Sequence, residues 1–475
     1  MNQPNRRQLL RTSACGFGAL ALAGLTNRES GGATASSIQQ ALPTGFTQSG
    51  VGQTNPVARA KRVIFIFMQG GPSQVDTFDP KPQLDLQHGK KVEFHVARTR
   101  KVNDETILRS PWKFEKHGQC GRDVSELFPE MAKCVDDFCL IRSMHTEGVA
   151  HGPATLFLHT GATNLIRPSV GGWISYGLGT ENENLPAFVT INPAPTKGGP
   201  RNYSNAFLPS QHQATVIKGS QADDAIRHLD NPHKSLEQQR EQIDLFNQIN
   251  QSQRATREHD DRLNTAIESY ELAFRMQEHM PQALDFASES QHVLDMYGIG
   301  QKETDEFGRQ CLMARQLAEA GVRYIQVSYS EISDTPKWDQ HSNLKAHETH
   351  AKATDLPVAG LLQDLKQRGL LEDTLVWWGG EFGRTPYSQN NNGRDHNPRG
   401  FSVWLAGGGV KPGTAYGETD DFGYEAVSNK VHMHDLHATM LHLLGLDHQR
   451  LTYRYAGRDF RLTDVHGRVI EDIIS

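Results

Sequence analysis

Short, continuous apolar runs that end in glycine or polar residues recur along the chain from about residue 62. The first run, Arg62 to Met68, is followed by Gly70-Gly71-Pro72, as expected for a strand that is buried on both faces and ends in a loop. The same signature recurs at residues 138–141, 324–327, 374–378 and 401–405, with helix-like segments between the runs. This alternation predicts an α/β fold with a mostly parallel sheet flanked by helices on both faces.

The pattern changes between about residues 233 and 320. Long stretches there, such as Leu236 to Ile249 and Arg262 to Met276, have the spacing of amphipathic helices and are rich in Gln, Glu and Arg. We interpret this region as a helical insertion whose charged side chains form a solvated face.

The N-terminus carries a pattern that belongs to export. Arg6 and Arg7 precede an apolar run from Phe17 to Leu25, and Ala33-Thr34-Ala35 follows as a small-residue cleavage site. A spanning helix needs roughly 20 apolar residues, about twice the length of this run. The pattern predicts a twin-arginine signal peptide over residues 1–35, a disordered lead over 36–60 and a folded domain over 61–475. We expect a periplasmic or extracellular protein that uses the twin-arginine export machinery and has no stable membrane span after cleavage.

Composition limits the partners and the redox chemistry. Removing residues 1–35 takes four Arg and one Glu from a chain of net charge -6, which leaves about -9. A mildly acidic protein without a basic patch argues against nucleic acid as a partner. The remaining cysteines match neither a zinc knuckle nor a redox pair, so they are expected to be buried thiols or to form one or two disulfides. They are Cys120, Cys134, Cys139 and Cys311.

Carboxylates and imidazoles follow the predicted strands. In open α/β sheets, ligands bind beyond the carboxyl ends of the strands. Oxygen and nitrogen donors collected there from several loops are typical ligands of a divalent ion. We therefore predict a metal site for zinc, calcium or magnesium that includes the pairs Asp339 with His341 and Asp395 with His396. His347 and His350, three residues apart on the next predicted helix, are interpreted as solvated.

Several motifs resemble one family when they are considered jointly. They are Met68-Gln69-Gly70-Gly71-Pro72, His151-Gly152-Pro153-Ala154, Trp338-Asp339-Gln340-His341, Glu381-Phe382-Gly383-Arg384-Thr385-Pro386 and Gly393-Arg394-Asp395-His396. Their occurrence over residues 60–475 is similar to the DUF1501 family, which is abundant in planctomycetes and belongs to the alkaline phosphatase and sulfatase superfamily. The resemblance implies an alkaline-phosphatase-like fold and an exported, metal-dependent hydrolase of phosphate or sulfate esters, with a small molecule or a polysaccharide as substrate. It also implies a set of metal ligands, which is Asp339, His341, Glu381, Asp395, His396 and His434.

Two positions depart from the superfamily pattern. Where the first strand usually ends in a metal-binding Asp the chain has Gln69, so Asp76 or Asp79 would have to reach the site, or that ligand is lost. The sulfatase Cys/Ser-x-Pro-x-Arg motif is also missing, and alignment with the superfamily places His151 at the nucleophile position. His151 is then a nucleophile, a metal ligand or a neighbour of a metal-activated water, of which we favour the last two. Thr155, one helical turn further on, is the nearest hydroxyl.

Arg384 and Arg394 flank these motifs. A guanidinium group pairs with phosphate or sulfate oxygens, so both are candidates to neutralise an anionic ester. The alternative is that they tie loops together. A second function also stays open, namely a non-catalytic metal-binding or glycan-binding protein on the same fold.

Overall fold

A computed structural model describes residues 57–92, 94, 106–219, 233–254, 261–331, 335–390 and 392–475. The predicted signal peptide, and the predicted lead up to residue 56, lie outside these ranges. The described residues belong to one compact unit. Within the described ranges, no helix combines the length and the apolar character that crossing a membrane requires.

The described strands are short and are numbered in chain order. They are β1 Arg62–Met68, β2 Phe114–His117, β3 Arg122–Ser125, β4 Phe138–His145, β5 Phe188–Ile191, β6 Thr215–Ile217, β7 Tyr324–Tyr329, β8 Thr374–Gly379, β9 Gly383–Gln389, β10 Gly393–Asn397, β11 Phe401–Ala406, β12 Ala415–Tyr416, β13 Glu418–Thr419, β14 Ala426–Ser428, β15 Val431–His432, β16 Tyr453–Tyr455 and β17 Arg458–Phe460.

The described helices are numbered in the same way. They are α1 Gln74–Thr77, α2 Pro82–Leu86, α3 His151–Thr160, α4 Val170–Leu178, α5 Leu236–Arg254, α6 Asp261–Ala283, α7 Gln291–Met296, α8 Asp305–Glu319, α9 Ala346–Gln367 and α10 Met433–Leu443. Short 3-10 helices lie at Met131–Asp137, Gly199–Tyr203, Ser210–His212 and Glu471–Ile473.

Nine of the described strands form the central sheet. Their order is β12-β4-β11-β8-β1-β7-β5-β6, and β15 also pairs with β4. β1 pairs in parallel with β7 and β8, and β5 pairs in parallel with β6 and β7. Among these nine strands only β11 is antiparallel to its neighbours, β4 and β8. The prediction of an α/β fold with a mostly parallel sheet is therefore confirmed.

The strands are apolar because the sheet is covered on both faces. Every residue of β1, β7, β8 and β11 is buried. Along β1, Ile64 and Ile66 enter one hydrophobic core and Phe65 and Phe67 enter the other, which is the alternation expected of a strand. Residues of α8 and α9 belong to the first core, and residues of α3, α4 and α10 belong to the second.

The predicted polar helices have α-helical counterparts in α5 and α6. The last helix before residue 320 is different, because Leu312 and Leu317 of α8 are fully buried in the core of the sheet. The four described cysteines are free, and all except Cys120 are buried. Among the described residues the cysteines are therefore free thiols, three of them buried, and form no disulfide.

Candidate metal centre

The carboxyl ends of β1, β7 and β8 lie side by side at one edge of the sheet. Asp339 and His341 lie in the loop after β7, and Glu381 follows β8. His151 is the first residue of α3, and β10 carries His396. Four segments that are distant in sequence therefore supply the candidate ligands.

Four of these residues, His151, Asp339, His341 and His396, form a compact group that we call the His-Asp cluster. Asp339 is central: its Oδ2 atom lies 3.1 Å from Nε2 of His151, and its Oδ1 atom lies 2.8 Å from Nε2 of His341 and 3.2 Å from Nε2 of His396. The Nε2 atoms of His341 and His396 are 3.0 Å apart. Within the described ranges, this is the one group of at least three His, Cys, Asp or Glu residues whose donor atoms all lie within 4.8 Å of one another.

Each imidazole of the cluster contacts an oxygen on its outer side. The acceptors are Oε1 of Glu381 behind His151 at 2.6 Å, the carbonyl oxygen of Val149 behind His396 at 3.1 Å and Oε1 of Gln389 behind His341. Because these oxygens accept from Nδ1–H, each Nε2 atom presents its lone pair to the centre of the cluster. Outer hydrogen bonds of this kind orient histidine ligands of metal ions.

These donors fit a divalent cation. Two Nε2 lone pairs 3.0 Å apart repel unless a proton or a metal ion lies between them. Donors 2.0–2.1 Å from a tetrahedral zinc are about 3.3 Å from one another, which is close to the observed separations. The site contains two carboxylates, those of Asp339 and Glu381, and one guanidinium, that of Arg384, which pairs with Asp339. With neutral imidazoles, the site therefore has an excess of negative charge.

The electrostatics of Asp339 follow from its contacts. Burial opposes its ionisation, but hydrogen bonds to His151, His341 and His396 and the positive charge of Arg384 bring the pKa of Asp339 well below its ordinary value. Burial also lowers the pKa of His396 and favours its neutral, metal-binding form. The cluster thus combines an anionic oxygen donor with imidazole nitrogens.

Family comparison agrees with the motifs that occur at this site. The sequence profile of a family described as "Protein of unknown function (DUF1501)" matches residues 60–474. The chain belongs to the DUF1501 family. No functionally curated protein matches it in sequence.

Solved structures that are similar to this DUF1501 protein have low sequence identity to it. The lipoteichoic acid synthase LtaP from Listeria monocytogenes is 9% identical, with 82% of this chain and 73% of that chain covered and a TM-score of 0.38. The PsFucS1 sulfatase from Pseudoalteromonas sp. is 11% identical, with 82% and 68% covered and a TM-score of 0.35. The alkaline phosphatase from the Antarctic bacterium TAB5 is 10% identical, with 74% and 92% covered and a TM-score of 0.32.

In this DUF1501 protein, Glu381 lies behind the cluster, contrary to its prediction as a direct ligand. The Glu381 side chain is fully buried, and each carboxylate oxygen accepts from the backbone N–H of Gly70 at 3.1 Å. One of these oxygens also contacts His151, so the carboxylate orients a ligand. Gly70 has φ of +110°, and a Cβ there would lie 2.8 Å from the backbone nitrogens of Trp338 and Asp339. Only glycine fits this close approach.

Asp395, another predicted ligand, lies at the rim. Its Oδ1 atom is 3.8 Å from Nδ1 of His341 and accepts from the backbone N–H of His396 at 2.8 Å. A register shift between Arg394 and His396 interrupts the β9–β10 pairing. Because such a bulge re-aims side chains, His396 reaches the cluster while Asp395 remains partly exposed beside it.

His434, the last predicted ligand, lies outside the cluster. Its Nε2 atom donates to the carbonyl oxygen of Gly161 at 3.0 Å, and its ring stacks on His466. Burial lowers its pKa. These contacts assign His434 to the packing of the first turn of α10 against the end of α3.

Arg394 is committed to protein groups. It is fully buried, and its Nε and Nη2 atoms donate to Asp76 at 2.6 and 3.1 Å. It also donates to the carbonyl oxygens of Thr385 and Leu108, each at 3.0 Å. The contacts support the alternative in which this arginine ties loops together, because its donors do not face a ligand.

Arg384 has a similar role closer to the cluster. It is buried and donates to the carbonyl oxygens of Gly71 at 3.1 Å and Trp338 at 3.2 Å. Its Nη2 atom also donates to Asp339 at 2.7 Å. Arg384 therefore positions Asp339 and balances part of its charge.

The ligand missing at Gln69 is not supplied by the neighbouring aspartates. Asp76 pairs with Arg394, and Asp79 accepts from Thr419 and lies 3.1 Å from Nζ of Lys81. Neither aspartate belongs to the cluster. The alternative in which this ligand is lost is therefore the one observed.

Two further expectations concern groups near the site. Thr155 is fully buried, and its Oγ1 atom has no hydrogen-bond partner in the described part of the chain. The interpretation of His347 as solvated is wrong, because it is fully buried and accepts from the backbone N–H of Ser73. His350 is partly buried, and burial lowers its pKa to about 4.

Proposed function

We propose that this protein binds one divalent metal ion at His151, Asp339, His341 and His396 and hydrolyses a phosphate or sulfate ester there. The observation that carries the proposal is that three imidazoles converge on the carboxylate of Asp339 through their Nε2 atoms. A hydrogen bond on the outer side of each ring, such as that of His151 to Glu381, holds the ring in this orientation. An ion held by these donors would supply Lewis-acid activation of the ester and of water. Three imidazole nitrogens and one carboxylate favour zinc over magnesium or calcium, which prefer oxygen ligands.

The side chains at the cluster leave the attack on the ester to water. Thr155 is buried, and Nδ1 of His151 is engaged by Glu381 while its Nε2 faces Asp339. Neither group is free to form a covalent intermediate. We therefore propose a direct displacement by water, in which no phosphorylated or sulfated residue accumulates.

Each residue around the cluster then has a defined task. Glu381 fixes the tautomer of His151, and Arg384 holds Asp339 in place. Both groups are buried, so they act on ligands and do not bind substrate. The substrate would approach from the rim, where Asp395 is partly exposed.

The experiment is hydrolysis of aryl phosphate and aryl sulfate by purified protein, before and after chelation and zinc reloading. We expect turnover that depends on the metal and is lost in His396→Ala. His434→Ala is the matched control, because this buried histidine lies outside the cluster, and it should retain both metal and turnover. Turnover that survives chelation, or the loss of His396, would contradict the proposal.

A non-catalytic metal-binding or glycan-binding protein is the second candidate. The observation in its favour is that the hydroxyl of Thr155 is buried and that both candidate arginines are committed to protein groups. Bound metal without turnover on a broad panel of esters would support this candidate over the hydrolase.

We also propose export by the twin-arginine route to the periplasm or beyond. The paired Arg6 and Arg7 before a short apolar run support it. Replacing both with Lys should retain the protein in the cytoplasm when cells are fractionated. Unchanged export would contradict the proposal.

A further inference from the structure

A cavity separate from the His-Asp cluster lies at the carboxyl ends of β5 and β7. Its volume is about 220 Å³, and it is lined by residues that follow these two strands, by α8 and by Lys337, two residues before Asp339. None of the four residues of the His-Asp cluster lines it. Pockets for drug-sized ligands measure about 300–1,000 Å³, so this cavity suits a smaller molecule of about the size of one sugar ring.

Gln310 of α8 provides an unsatisfied hydrogen-bonding group in this cavity. Its side chain lines the cavity and is about 1% exposed, and its Oε1 atom has no hydrogen-bond partner among the described residues. A buried polar group without a hydrogen-bond partner costs about 1–3 kcal/mol. A ligand hydroxyl that donates to Oε1 would remove this cost.

The other polar groups of the cavity favour a neutral ligand rich in hydroxyls. Glu303 and Glu306 line it near the start of α8, and Asn192 lines it after β5. Lys337 is the cation of the lining, with Nζ 4.1 Å from the centre of the Tyr329 ring. Two carboxylates against one ammonium disfavour an anionic group such as phosphate or sulfate. Carboxylates and amide oxygens accept from hydroxyls, and ammonium and amide N–H groups donate to them.

We propose that this cavity binds one neutral sugar ring. Hydrogen bonds connect the wall of the cavity to the His-Asp cluster. The hydroxyl of Tyr329, a lining residue, lies 3.1 Å from Nδ1 of His350. Nε2 of His350 lies 3.4 Å from Nε2 of Gln340, the residue after Asp339. The cavity would thus hold an uncharged part of a glycan whose ester lies at the metal. This assignment as part of the substrate rests on the proposed function, whereas sugar binding by itself does not.

The test is binding of uncharged methyl glycosides of glucose, galactose, mannose, fucose and xylose. Titration calorimetry and ligand-observed NMR would be run on the purified protein with zinc and after chelation. We expect at least one glycoside to bind under both conditions. Gln310→Met, which keeps the side-chain length and removes the amide, should weaken binding about tenfold or more, as for the loss of one hydrogen bond.

Three further variants keep this test independent of folding and of catalysis. Gln316→Met is the matched control, because Gln316 lies on the same helix but donates to the carbonyl oxygen of Asp285 outside the cavity, and it should bind as the wild type does. Glu306→Gln changes an exposed lining residue and should weaken binding without unfolding the protein. His396→Ala should abolish hydrolysis but retain glycoside binding, which separates the two proposals.

Three results would overturn the sugar site. They are no binding of any glycoside, binding that Gln310→Met and Glu306→Gln leave unchanged, and binding confined to an organic ammonium ion such as choline. Absence of ester hydrolysis together with glycoside binding would reject the hydrolase and support the sugar site.

Discussion

The Nδ1 atom of His151 lies 2.6 Å from the Oε1 atom of Glu381, and this contact sets the direction of the imidazole. Because the carboxylate accepts from Nδ1–H, the Nε2 lone pair of His151 faces Asp339. A residue at the start of α3 is thereby oriented by a carboxylate at the end of β8, 230 residues further along the chain. Carboxylate and histidine pairs of this kind hold metal ligands in place.

Replacing this carboxylate with its amide should therefore weaken metal binding. We expect Glu381→Gln to lower zinc affinity about 10–100-fold, because the amide no longer fixes the His151 tautomer with a charge-assisted hydrogen bond. The affinity would be measured by competition with a chromogenic chelator. Asp395→Asn is the control, since Asp395 lies at the rim and should have a much smaller effect. Equal affinities in Glu381→Gln and wild type would show that the contact does not serve a metal.

The role of His151 can be separated from its alternatives by one variant. We expect His151→Ala to lose metal, because Nε2 of His151 is one of the converging donors. Metal content by elemental analysis and turnover would be measured together. Loss of turnover with metal retained would instead identify a nucleophile, and retention of both would identify a packing role.

The buried pair of Asp76 and Arg394 should contribute to the stability of the protein by holding loops in position. Arg394→Met leaves the Asp76 carboxylate buried without its partner, so we expect a loss of about 3–5 kcal/mol in the free energy of unfolding. The double variant Asp76→Asn with Arg394→Met should recover part of the lost stability. Both variants would be measured by urea denaturation. An unchanged stability accompanied by a raised KM would point to ester binding by Arg394.

Stability in acid should depend on His212. Burial lowers its pKa to about 4, whereas an unfolded histidine has its ordinary value of 6.5. Between these values the unfolded chain binds a proton that the folded chain does not, so the free energy of unfolding falls as pH drops from about 6.5 to about 4. His212→Asn should remove about 3 kcal/mol of this pH dependence.

The measurement is urea denaturation at several pH values. The slope of the free energy of unfolding against pH is compared between wild type and variant, because the stability at a single pH does not isolate this effect. The exposed His292→Asn is the control and should keep the slope of the wild type. An unchanged slope in His212→Asn would mean that the acid sensitivity has another source.

Much of the fold follows from the sequence because strands buried on both faces must be apolar throughout. The runs at residues 62–68, 324–327 and 374–378 identify central strands for this reason. Strand direction is a different matter. The run at 401–405 is similarly apolar to its neighbours, yet β11 is antiparallel, because an apolar run does not encode its orientation.

The sequence also determined the chemistry available at the sheet edge, since residues that follow parallel strands must meet there. It placed Asp339, His341 and His396 among the candidate ligands from their types and positions, and all three lie in the cluster. Only the tertiary structure separated them from Glu381, because a ligand and its outer partner have the same side-chain chemistry and differ in position by a few ångströms. Val149 contributes through its backbone carbonyl, which no side-chain type can signal. The packing of loops, and a bulge in one hairpin, decided which donors face the centre of the site.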